Sequence, residues 1–155
     1  MRGGGQEFGL RSGTENLAGC AGFATALKLA TASHADEARR LSQLRESFEA
    51  EILKTVPGAS INGSTKHRAP HITSLTIEGV DNERLMFELD EQGIQCAVGS
   101  ACSASSEEPS HVLEAIGLSP AMAQSTLRFS FGKHTTKNQL QKTAKTLAEL
   151  TANNR

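Results

Sequence analysis

The 155-residue chain contains no tryptophan and no tyrosine, and its charge has almost no bias, with sixteen lysines and arginines against seventeen acids. Without tryptophan or tyrosine platforms or a basic surface it is poorly equipped to stack bases or track a phosphate backbone, so no nucleic-acid partner is expected. No run of eighteen apolar residues is present, and the opening "MRGGGQEFGL" has no apolar segment of leader length. Neither a membrane span nor a secretory signal is therefore expected, and the sequence reads as cytoplasmic. The cysteines, Cys20, Cys96 and Cys102, are odd in number and sparse, which excludes a disulfide scaffold and leaves free thiols. Length and a hydrophobic content of 37% fit a single soluble globular domain able to bury a core.

Glycines crowd the first thirteen residues, which read as irregular. Thr14 is positioned to cap a helix whose stripe is Leu17, Cys20, Ala21, Ala24 and Leu27. A second helix is expected over 35–55, with Leu41, Leu44, Phe48 and Ile52 inward and Pro57-Gly58 as its stop. Residues 59–62 and 72–78 alternate as strands, and Asp81 caps a helix that ends at Gly93. A short strand then leads into "GSACSASSEEPSH" and a brief helix through "HVLEAIG". In "TLRFSFG", Leu127, Phe129 and Phe131 alternate with Thr126, Arg128 and Ser130, so three large apolar groups share one face and an arginine sits between hydroxyls on the other. A helix over 136–151 ends the pattern, which predicts an α+β fold: a small mixed or antiparallel sheet covered by helices.

Three places could carry chemistry. Cys102 lies among small residues that leave its sulfur open, which suits a nucleophile as well as a small buried side chain. Cys20 and Cys96 sit on expected inward faces, and the spacing between Cys96 and Cys102, with no second pair, matches no zinc pattern, so no metal is expected. Arg128 can offer a two-pronged clamp to a carboxylate or can point into solvent from a sheet face. Thr14, beside glycines and the N–H groups of a starting helix, could hold an anion.

Taken in order, "GGGQEFGLRSGTEN", "GVDNERLMFELDEQGI", "GSACSASSEEPSHVLEAIGLS" and "LRFSFGKHTT" resemble the pyridoxal-phosphate-dependent cysteine desulfurases of the class V aminotransferase family. The long "SACS" loop is similar to the NifS/IscS-like group. The resemblance implies a Cys102 that takes sulfur from L-cysteine as a persulfide, leaving L-alanine. It also implies that Arg128 pairs with the substrate carboxylate, and that Thr14 reaches the cofactor phosphate of the partner subunit in a homodimer. The sulfur would pass to an acceptor or scaffold protein for iron–sulfur clusters or to thiolated tRNA. Lys133, His134 and "APHITS" depart from the family's usual residues.

In this family the lysine that bonds pyridoxal phosphate lies in a large N-terminal domain, upstream of the glycine-rich segment, and no lysine here matches it. The resemblance thus implies the C-terminal part of such an enzyme: an interface segment over 1–16, in need of partners to order it, and a small domain over 17–155. Alone it is expected to be inactive and to hold no covalent cofactor. A second reading is a cofactor-free persulfide carrier or binding module that uses Cys102.

Overall fold

The structure, a computed structural model, describes residues 3–99 and 110–153. By its internal contacts the chain divides into two compact units, Met1–Asp36 and Glu37–Arg155.

In the first unit a 3-10 turn, Glu7–Gly9, precedes α1, which begins at Leu17. The glycine-rich stretch closes on itself through local bonds: Ser12 Oγ donates to Gly4 O at 3.2 Å and Arg11 Nη1 to Gly13 O at 3.0 Å. Thr14 is not the helix cap. Asn16 is, its Oδ1 accepting from the Gly19 amide at 2.9 Å, because the short amide side chain sits immediately before the first helical residue. The expected stripe Leu17, Cys20, Ala21, Ala24 and Leu27 is exposed throughout, with Leu17 at 76% and Leu27 at 55%. Helical spacing specifies a stripe; burial needs a packing partner that spacing does not supply.

Two helices were expected where the structure has one, α1, running from Leu17 to Thr55. The intervening "TASHAD" holds neither glycine nor proline, and the Ser33 hydroxyl turns back onto Leu29 O at 3.2 Å in step with the helix, so nothing interrupts the ladder.

The second unit holds a four-stranded sheet in the order β1-β2-β4-β3, with β1 Ala59–Ile61, β2 Ile72–Ile77, β3 Ala97–Val98 and β4 Thr126–Ser130, all pairings antiparallel. Between the strands lie α2 (Asn82–Glu91), α3 (His111–Ala115) and α4 (Pro120–Ala123), and α5 (Lys137–Asn153) follows β4. The α+β expectation stands. Leu75 and Leu127 face each other in register, and with Ile77, Phe129 and Phe131 they join Leu41, Phe48 and Ile52 of α1, Leu85 and Leu89 of α2, and Leu140, Ala144 and Leu147 of α5 in one core. The Phe48 ring meets Phe129 and Phe131 edge-on at 5.5 and 5.6 Å between centroids, the geometry aromatic quadrupoles favour.

Asp81 caps α2 by accepting from the Arg84 amide at 3.0 Å, and Gly93, at φ 73°, ends it as expected. The short α4 had a signal that went unread: Ser119 caps it through the Met122 amide, and Pro120 occupies the first turn. Its placement buries Thr126, whose hydroxyl donates to Met122 O at 2.8 Å. The sheet face opposite the core is therefore covered at the Thr76–Thr126 end and open at Arg128.

Candidate functional site: the open face of the sheet

Arg128 stands at the middle of β4, paired with Ser74 of β2 on one side and Ala97 of β3 on the other. Residues paired across antiparallel strands project to the same face, so Ser74, Arg128 and Ala97 form one row, which the contact of Asn62 with Ser74 extends. Arg128 is exposed, and among the described residues its guanidinium has no hydrogen bond or ion pair. Such an arginine has all five donors available to an incoming anion.

Its surroundings are fixed by polar contacts from both faces. On the open face Asn62 Nδ2 reaches Ser74 Oγ at 3.1 Å and Thr76 Oγ1 at 2.8 Å, and Thr76 and Thr126 share a 2.7 Å hydroxyl contact. Asn82, buried at the start of α2, donates to Thr126 O at 2.9 Å and Ala123 O at 3.3 Å, tying α2 and α4 to β4. On the core face Glu49 of α1 accepts from Thr73 Oγ1 at 2.7 Å and pairs with Arg68 at 2.7 Å. Beside it, buried Arg45 donates to Ala69 O at 2.9 Å, and its Nε, which lacks a hydrogen bond, lies 3.9 Å from Glu49 Oε1. Sequence reading passed over Glu49, Arg45, Arg68 and Asn82, since each has a partner nineteen or more residues away.

Beyond β4, Arg40 of α1 donates to the carbonyls of Gly132, Lys133 and Thr135 at 3.0–3.2 Å while Glu37 grips it through two contacts of 2.7 and 2.8 Å. That hydrogen bonding holds the Glu37 carboxyl below its ordinary range and raises the Arg40 guanidinium. The turn bearing Lys133 and His134 is thereby fixed by its backbone.

Cys102 lies outside the described residues. The strand that feeds its loop, β3, is hydrogen-bonded to β4, so the chain enters the loop one strand away from Arg128. Cys96 is half-buried, and desolvation first, then the Asp90 charge, push its thiol up to about 11, which suppresses the nucleophilic thiolate. Cys20 was expected to face inward and is exposed. Thr14 is exposed and its hydroxyl has no partner among the described residues.

Toward pyridoxal phosphate, Thr14 offers one free hydroxyl donor of the kind a phosphate oxygen accepts from; the free guanidinium of Arg128 suits a carboxylate, a group the cofactor itself does not carry. They do not provide the enclosed amine the cofactor's aldehyde requires, as every lysine of the chain is exposed. Among the described residues no group of three histidine, cysteine, aspartate or glutamate side chains could hold a metal, and no helix is long and apolar enough to cross a membrane.

The family follows from comparison: residues 4–143 match the model of the aminotransferase class-V family, and the chain belongs to it. It is 38% identical over 150 residues to the cysteine desulfurase IscS of Dictyoglomus turgidum, covering 97% of this chain and 38% of that protein. It is 34% identical over 152 residues to the cysteine desulfurase NifS of Azotobacter vinelandii, covering 98% and 38% respectively. Among solved structures, a NifS-like protein superposes with a TM-score of 0.80 at 28% identity over 98% of this chain and 38% of its own. A NifS-like protein from Rickettsia africae gives 0.79 at 29% identity over 97% and 39%. The chain spans 38% of the length of these two curated relatives.

Proposed function

We propose that this chain forms the small-domain share of a cytoplasmic, homodimeric cysteine desulfurase that converts L-cysteine to L-alanine and hands sulfur to an acceptor for iron–sulfur clusters or thiolated tRNA. The observation that carries this reading is the unpartnered, exposed Arg128 on the strand that β3, the entry to the Cys102 loop, pairs with. Arg128 binds the substrate carboxylate through its planar fork and so orients the amino acid. The Cys102 thiolate attacks the substrate sulfur: an S–S bond forms, the carbon–sulfur bond breaks, and its electron pair leaves with the three-carbon fragment, which takes up a proton to become alanine. Bound pyridoxal phosphate supplies the electron sink for that fragment. Thr14, in the interface segment 1–16, donates to the phosphate held by the partner subunit. The lysine that bonds the cofactor comes from a large domain outside this sequence, so the chain by itself is inactive and holds no covalent cofactor.

The test compares Cys102→Ala and Arg128→Ala in the cofactor-loaded enzyme that carries this sequence. Cys102→Ala abolishes persulfide formation and leaves L-cysteine binding intact. Arg128→Ala raises KM by more than about thirtyfold, since removing one partner of a desolvated charge pair costs about 2–5 kcal/mol. Persulfide formation that survives Cys102→Ala, or kinetics unmoved by Arg128→Ala, overturns the assignment. Sulfur loading of Cys102 without any cofactor would favour the carrier reading instead.

A further inference from the structure

The direction of the hydrogen bonds beside Arg128 can be worked out from one fixed end. Thr126 Oγ1 lies 2.8 Å from Met122 O, and a carbonyl only accepts, so Thr126 must donate there. Its single proton is then engaged, and in the 2.7 Å contact between Thr126 and Thr76 the donor is Thr76. Thr76 in turn has no proton left for Asn62, whose Nδ2 and Oδ1 lie 2.8 and 3.1 Å from its hydroxyl; the closer nitrogen donates to Thr76, and the longer Oδ1 contact carries no proton. With the nitrogen on the side of both hydroxyls, the second N–H of the amide reaches Ser74 Oγ at 3.1 Å. Ser74 is therefore the hydroxyl of this ladder that receives a hydrogen bond and whose own proton no described residue takes. It is half-buried on the open face, directly opposite Arg128 in the β2–β4 register. Cβ atoms of such a pair lie about 4.5–5.5 Å apart, close enough for both side chains to reach the two oxygens of one carboxylate.

We propose that Ser74 is a second carboxylate-binding residue, its hydroxyl donating to the same group that Arg128 pairs with, and that Asn62 positions it. This rests on the reading of Arg128 as the carboxylate clamp. A carboxylate is a pure acceptor, which is what a row of two donors selects. Substrates of the right shape but without that group gain nothing from Ser74.

The cofactor-loaded enzyme is titrated with L-alanine, a product that keeps the carboxylate, and with cysteamine, which lacks it. Ser74→Ala weakens L-alanine binding about tenfold, as expected for the loss of one hydrogen bond to a charged group. It raises KM for L-cysteine by a similar factor with kcat nearly unchanged, and leaves cysteamine affinity as it was. Ser74→Thr, which retains the hydroxyl, keeps the native L-alanine affinity. Unaltered L-alanine binding in Ser74→Ala, or an equal loss for cysteamine, overturns the proposal. Arg128→Ala separates the two readings. If Arg128→Ala weakens L-alanine binding and Ser74→Ala does not, only Ser74 is misassigned; if Arg128→Ala has no effect either, the carboxylate clamp itself is wrong.

Discussion

Replacing Glu49 by alanine removes the one carboxylate that serves Arg68 and Thr73 directly and lies 3.9 Å from buried Arg45. Side-chain exposures of 12% for Glu49, 13% for Arg68 and 8% for Arg45 place the cluster largely out of water. Deleting one partner of such a pair is costly because the remaining charges stay desolvated, by about 3–5 kcal/mol in general. The residual exposure lets water reach the arginines, so the lower end, about 3 kcal/mol, is expected here. With a urea m-value of about 2 kcal/mol/M for a domain of this size, the unfolding midpoint falls by about 1.5 M while the slope is unchanged. Glu49→Gln falls less, since its amide oxygen still accepts from Thr73. Circular dichroism followed through a urea titration of the chain reads both. A Glu49→Ala midpoint within about 0.3 M of the parent would refute the reasoning, because it would mean the arginines are solvated and the cluster holds nothing in place. The cluster also bears on the open face: Thr73 and Ser74 are neighbours on β2 with opposite outlooks, so the bond that anchors one fixes the strand that presents the other.

At pH 8 Cys20, which is exposed, should react with iodoacetamide well ahead of Cys96, whose pKa of about 11 leaves on the order of 0.1% thiolate at that pH; equal rates by peptide mass mapping would contradict the burial of Cys96. The same raised value sets a sign for stability. As pH rises from the ordinary thiol value of 9.0 towards about 11, the unfolded thiol ionises while the folded one keeps its proton, so stability declines over that window, and Cys96→Ala flattens the decline. Phe48→Ala, which empties the 2%-exposed centre of the core and removes two edge-on ring contacts, should cost about 3–5 kcal/mol by thermal or urea unfolding; a loss below about 1 kcal/mol would mean the three rings do not pack as described.

Much of this molecule was legible in local pattern, because those features depend on neighbours in sequence. Alternation in "TLRFSF" assigned the two faces of β4 and put Arg128 on the open one, the aspartate at 81 and glycine at 93 bounded α2, and the spacing of Leu41, Phe48 and Ile52 marked the buried side of α1. The family was equally legible in its motifs. Other features were decided only by the chain meeting itself. Whether the stripe from Leu17 to Leu27 is buried depends on what packs against it, and Thr126, polar in pattern, is buried because α4 lies over it. Asn62, Ser74 and Thr126 become one directed ladder only when β1, β2 and β4 pair in this register; a shift of one residue would turn Ser74 into the core. Residues at separations of twelve to fifty positions carry no periodic signal of their meeting, and so the sequence by itself could name the arginine while only the sheet could give it a neighbour.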